Sequence, residues 1–232
     1  MLRKRVNTRG WKRATGLLLV GLPLCAVLFV VVHACVKTVG GRRALIFMSE
    51  SKMHAMGVQA YADIRKKEKV STNPRFNTLV TRIGRHIAQA SGARFKWEFT
   101  VFDSKQVNAF CLPGGKIGVF TGILPVARTE AGLAAIMGHE VAHATLRHGA
   151  QRMSQNVLVQ FGLSASGLLF KDSKYQKHIM GALGLGAQYG ILMPYGRAHE
   201  TEADQVGLEY AAKAGYSPHA AVKLWLRMDQ LG

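Results

Sequence analysis

The sequence predicts an α+β domain, mainly helical with one small sheet, behind a single N-terminal transmembrane helix. Three observations predict it. Residues 16–36 form an almost unbroken apolar run, close to the ~20 residues that a spanning helix needs. Beyond that run, apolar residues recur at helical spacing in segments bounded by capping signals. Strand character is confined to residues 97–102 and to two short apolar runs around Pro113-Gly114-Gly115.

The N-terminal element comes first. Arg3, Lys4, Arg5, Arg9, Lys12 and Arg13 precede the apolar run, and the first acidic residue is Glu50. A cleavable signal h-region is usually about 7–15 residues long, so residues 16–36 are read as an uncleaved anchor. The basic residues 1–15 are placed in the cytoplasm and the rest of the chain on the other side of the membrane. For a bacterial chain that means a single-pass inner-membrane protein with a periplasmic domain. Two alternatives are a periplasmic lipoprotein and a mitochondrial inner-membrane protein. Leu24 before Cys25, and His33 two positions before Cys35, fit the first poorly. Targeting segments are rich in Ser and the first serine here is Ser49, which weakens the second.

Of 232 residues, 48% are hydrophobic and 19% charged, below the roughly 25% charge of a soluble domain. The net charge of +18 suits an anionic lipid surface or acidic partners. No nucleic-acid motif accompanies it. Cys111 is the one cysteine beyond the apolar run, so no disulfide framework forms there.

Residues 37–48, with Gly40, Gly41, Arg42 and Arg43, read as a linker, and residues 49–232 as the folded domain. From Ser49 to about Val70, Met53, Met56, Ala60 and Ile64 lie near one stripe. Asn73-Pro74 supplies an N-cap and first-turn proline, for a helix carrying Phe76, Leu79, Val80, Ile83 and Ile87 and stopping at Ser91-Gly92. A strand over 97–102 and a hairpin over 107–120 follow. Thr129 caps a helix from Glu130 to about His148, with Gly149 as its stop. Residues 157–170 and 179–193 are apolar and Gly/Ala-rich, each too short for an ordinary span. They predict a buried helical hairpin or a membrane-dipping plug. A helix from Glu200 to Ala214 and another opened by Ser217-Pro218 complete the chain.

The chemistry centres on His139-Glu140-Val141-Ala142-His143. Histidines four apart on a helix sit about 40° apart on one face and can grip one zinc ion. Glu140, beside the first, can take a proton from water and pass it to a leaving amine. A third ligand is needed. Leu146 and Gly149 rule out an extended H-E-x-x-H-x-x-G-x-x-H pattern, and His148 reads as a polar residue at the helix C-terminus. Glu200 and Asp204 share one face of a later helix. Glu200 can complete the ligand set, and Asp204 can accept the free ring N–H of a ligand histidine. Glu202 points elsewhere and reads as a solvated charge; His199 is ambiguous.

Three segments now carry a resemblance over roughly residues 40–232. They are Val107-Asn108-Ala109-Phe110-Cys111-Leu112-Pro113-Gly114-Gly115, the His139 motif, and Arg197 through Asp204. The chain resembles the membrane-associated zinc metallopeptidases that include HtpX, the CAAX prenyl protease and the mitochondrial Oma-type protease, and most of all bacterial BepA and LoiP. The resemblance implies a zincin (gluzincin-like) fold with one Zn²⁺ held by His139, His143 and Glu200. It implies Asp204 behind the ligands, and residues 107–120 as the strand beside the cleft. Asn108, Ala109 and Phe110 then meet an extended polypeptide substrate. Arg197 orients Glu200 or faces the developing oxyanion, and the apolar hairpin before it covers the site. The expected activity is endopeptidase cleavage of misfolded or stalled membrane or envelope proteins. The rival readings are an assembly chaperone with structural zinc and a metal-free membrane scaffold; an intact Glu140 favours catalysis. Chains of this kind continue past the helix ending near Leu231 into a His-Pro segment whose histidine can hold the enzyme off. This sequence ends at Gly232, so either the chain continues or that control is lacking.

Overall fold

The computed structural model describes residues 35–38 and 40–230. The expected anchor therefore lies outside the described residues, apart from its last two. Cys35 and Val36 open strand β1 (Cys35–Lys37), which pairs antiparallel with β2 (Arg43–Leu45). Much of the segment read as a linker is thus an ordered hairpin. Among the described residues no helix is long and apolar enough to cross a membrane.

Helix α1 (Glu50–Lys67) begins where Ser49 Oγ accepts from the Lys52 amide. Helix α2 (Pro74–Ser91) begins under Asn73, whose Oδ1 accepts from Arg75 and Phe76 N–H, with the proline at a position that needs no donor. Gly92, at φ 68°, ends it. Asn73 and Gly92 bound α2 where the sequence places its ends.

The main sheet has the order β3-β5-β4. β3 (Glu98–Phe102) runs parallel to β5 (Lys116–Phe120), and β4 (Ala109–Leu112) runs antiparallel to β5. The β4–β5 turn passes through Gly114 and Gly115, both near φ +84°, a region that side chains disfavour. β4 is left as an edge strand.

A short helical turn over residues 121–127 leads to Thr129, whose hydroxyl accepts from Gly132 N–H at 3.0 Å and starts helix α3 (Glu130–Thr145). α3 is buried nearly all round: Leu133, Ala134, Met137, Val141 and Ala142 are all at most 1% exposed. It packs on α2, on β4 and above all on α6. It does not extend to Gly149. Arg147, at φ 59°, breaks it, and helix α4 (His148–Leu169) starts at once. α5 (Gln176–Ala187) then folds back along α4. A π-helical stretch (Gln188–Leu192) joins it to α6 (Met193–Lys213), and α7 (His219–Asp229) closes the fold. α6 starts seven residues before the expected Glu200. Pro194 does not break it because it sits in the first turn.

The core joins α2, the inner face of the sheet, α3, α6 and α7 through Val80, Ile83, Ile117, Val119, Ala203 and Leu224. The crossing of α3 and α6 is tight. A Cβ on Gly138 would strike Gly207 O, and a Cβ on Gly207 would come within 2.6 Å of His139 N. Two glycines facing each other let these backbones meet.

Candidate active site

That crossing brings α6 against the His139 motif. His139 Nε2 and His143 Nε2 lie 2.9 Å apart, and Glu200 Oε2 lies 3.2 Å from the first and 3.4 Å from the second. Among the described residues these three form the one group of His, Cys, Asp or Glu side chains whose ligand atoms converge, all within 4.8 Å. Asp204 Oδ1 is 2.8 Å from His139 Nδ1. As a carboxylate it only accepts, so the ring N–H is on Nδ1 and Nε2 presents a lone pair toward His143 and Glu200. A tetrahedral ion with bonds of about 2.0–2.2 Å separates its donors by roughly 3.3 Å. The two histidine–glutamate separations match that figure, and the donor set of two imidazoles and a carboxylate suits zinc.

Glu140 is half-buried, and the Cys111 main chain beside it favours the charged carboxylate. Burial pushes its carboxyl up to about 7, the charge on Glu200 adds to the rise, and His139 opposes it. That places a proton acceptor near neutral pH beside the convergent ligand atoms. Burial works against charging His139, yet Asp204, Glu140 and Glu200 together hold it above its usual value. Burial and the charge of His139 take His143 well below its own. Burial and the Glu140 charge raise the Cys111 thiol far above its normal range, which disfavours the thiolate.

β4 borders the site. Phe120 N–H donates to Asn108 C=O at 3.1 Å. By the alternation of an antiparallel ladder, Asn108, Phe110 and Leu112 turn their main-chain groups to β5, while Ala109 and Cys111 turn theirs outward. The Phe110 ring packs on Phe102 and Phe120 with centroids 6.0 Å from each. Two cavities flank the ligands. One of about 160 Å³ lies against Asn108, Ala109, Ile136, His139, Glu140 and Trp225. The other, about 280 Å³, lies against Met53, Phe95, Leu112, Pro113, His143 and Arg152.

Arg197 is exposed, and among the described residues it forms no ion pair with Glu200 or Asp204. Glu202 corrects the reading of a solvated charge. Its side chain is 13% exposed, bound by Arg42 at 2.9 and 3.1 Å and by the Thr38 hydroxyl at 3.2 Å. His148 is also misplaced by the sequence. It opens α4 instead of ending α3, is fully buried, and its Nδ1 lies 2.8 Å from His143 Nδ1. Neither contact has a local sequence signal, because Arg147 restarts the helix and Arg42 lies in a distant hairpin.

The profile of Peptidase family M48 matches residues 74–231. The chain is 38% identical over 151 residues to the mitochondrial metalloendopeptidase OMA1 of Schizosaccharomyces pombe, covering 65% of this chain and 43% of that protein. It is 28% identical over 245 residues to the mitochondrial metalloendopeptidase OMA1 of Bos taurus, covering 99% and 46%. With the beta-barrel assembly-enhancing protease of Yersinia pestis it shares 28% identity over 187 residues, covering 78% and 38%. The matched stretches thus span less than half the length of each of these relatives.

Proposed function

The chain belongs to peptidase family M48, and from that premise we propose that it is a zinc-dependent endopeptidase acting on polypeptides at a membrane. The observation that carries this reading is the convergence of His139 Nε2, His143 Nε2 and Glu200 Oε2 beside the half-buried carboxyl of Glu140. His139, His143 and Glu200 would hold one zinc ion. Bound zinc supplies Lewis acidity, which acidifies water and polarises a scissile carbonyl. Glu140 takes the proton of the attacking water and returns it to the leaving amine. Asp204 keeps the His139 proton on Nδ1. The outward main-chain groups of Ala109 and the outward C=O of Cys111 offer an edge to which an extended substrate adds as a strand, with side chains entering the two flanking cavities.

Membrane association rests on the basic flank and apolar run at residues 1–36. Placing the domain on the far side of that membrane follows the positive-inside rule. Misfolded or stalled membrane and envelope proteins are the proposed substrates, in keeping with relatives named for mitochondria and for β-barrel assembly.

The test is casein hydrolysis by the purified full chain, with metal content measured in parallel. Glu140→Gln is expected to keep near-stoichiometric zinc and to lose 10²-fold or more of the rate, within the usual range for removing a general base. A variant that binds zinc and cleaves at the parent rate would overturn the role of Glu140. Absence of zinc from the parent would overturn the reading as a whole.

A further inference from the structure

The two histidines are supported from behind in different ways. His139 meets a carboxylate directly, through Asp204. His143 meets a second histidine, and the chain of contacts continues for two more residues. His148 Nδ1 is 2.8 Å from His143 Nδ1, and His148 Nε2 is 3.3 Å from Glu202 Oε2. Glu202 Oε2 takes hydrogen bonds from Arg42 Nη2 and Nε, and Glu202 Oε1 takes one from the Thr38 hydroxyl. Arg42 Nη2 also donates to Gln151 Oε1 at 3.0 Å.

Read inward from Arg42, and with both Nε2 atoms left bare for a shared metal ion instead of a proton between them, these contacts allow one proton arrangement for neutral rings. Glu202, gripped by a guanidinium, is a carboxylate and only accepts. His148 therefore carries its proton on Nε2 and has a bare Nδ1. That Nδ1 must receive a hydrogen bond from His143 Nδ1–H, because one proton lies between the two nitrogens. His143 is left with a bare Nε2, the atom that faces His139 and Glu200. The tautomer needed to bind a metal ion is thus set by a salt bridge one histidine behind the ligand.

We propose that Arg42, Glu202 and His148 form a positioning relay that fixes the ring and tautomer of His143 for metal binding. The β1–β2 hairpin is thereby a working part of the active site. The geometry leaves little slack. A Cβ on Gly40, in the β1–β2 turn, would collide with Glu202 Oε1, and His148 is stacked on His199 with centroids 4.1 Å apart.

The inference rests on the zinc reading above, and its test separates the two. Zinc dissociation constants are measured by chelator competition on the full chain, with circular dichroism as the check on folding. The visible spectrum of the cobalt(II)-loaded protein reports ligand geometry independently of activity. His148→Phe keeps a ring without nitrogens, and Arg42→Met removes the guanidinium without touching any ligand. Both are expected to weaken zinc binding 10- to 100-fold, the usual effect of losing a partner behind a ligand, and to alter the cobalt spectrum. Glu202→Gln, which keeps an acceptor for His148, is expected to retain more affinity than Glu202→Leu. Folded Arg42→Met and His148→Phe proteins that bind zinc within twofold of the parent would overturn the relay while leaving the zinc site standing. A parent chain that binds no zinc would overturn both.

Discussion

Asp204 and Glu202 are two residues apart on α6 and serve opposite sides of the ligand pair. Asp204→Ala removes the acceptor of the His139 proton, and a 10- to 100-fold loss of zinc affinity is expected. Chelator competition measures it, and unchanged affinity would sink the assignment. A pH effect belongs at this scale too. Burial and the charge of His143 push His148 down to about 3, and burial and the charge of His148 do the same to His199. In the unfolded chain both titrate near the ordinary 6.5. Below that value the unfolded chain takes up protons that the folded one refuses, so stability is full above about pH 6.5 and drains away as pH falls toward 3. The melting temperature of chelator-treated protein should therefore drop between pH 7.5 and pH 5. His199→Gln should shallow that slope, and an unchanged slope would show that His199 does not contribute. The converging side chains His139, His143 and Glu200 were legible because i, i+4 spacing within each helix is local. His148 and Glu202 were not, because the Arg147 break re-aims the first and the partner of the second is 160 residues away.

Elements follow the same division between local and distant information. The caps at Asn73 and Thr129, the helix start near Ser49, the glycine turn before β5 and the strand at Glu98–Phe102 are local, and the sequence locates all of them. The junction at Leu146–His148 is different. Gly149 is the stronger helix stop by composition, but Arg147 adopts the left-handed backbone and Gly149 continues as helix. The crossing of α3 and α6 could not be read at all, since Gly138 and Gly207 acquire meaning only when they face each other. Gly207→Ala would drive a methyl into the α3 backbone at His139. An overpacked core contact of this kind costs about 1–3 kcal/mol, and relief requires α6 to move. Glu200 and Asp204 ride on α6, so the variant is expected to lose zinc affinity together with thermal stability. Gln205→Ala, on the same helix and exposed, should do neither. A destabilised Gly207→Ala protein with parental zinc affinity would show that the crossing does not set the ligand spacing.

At the scale of the whole molecule, the described residues divide into a buried core around the site and a projecting apolar hairpin, α4–α5. The sequence predicts the hairpin but leaves open whether the protein buries it. It does not: Phe161, Leu168, Leu169, Leu185, Tyr189 and Ile191 are all exposed, Leu169 by 80%. Surface of that kind on one projection marks an interaction site. The root of the hairpin is tied to the β1–β2 hairpin by Phe47 N–H on Ser154 Oγ at 3.0 Å and by Arg42 on Gln151. Residue 35, at the end of the apolar run, therefore lies on the same side of the domain as that root. The tip carries Lys171, Lys174 and Lys177 against Asp172, a balance suited to anionic headgroups while the apolar flanks lie in the interface. With the full chain in anionic phospholipid vesicles, trypsin should cut at these three lysines far more slowly than at exposed Lys66 and Lys67 at the end of α1. Mass spectrometry of the fragments measures the ratio. Replacing Leu168 and Leu169 by Ser should restore cutting at the tip. Equal cutting at both places in the parent would mean that the hairpin faces water and that the apolar surface awaits a protein instead.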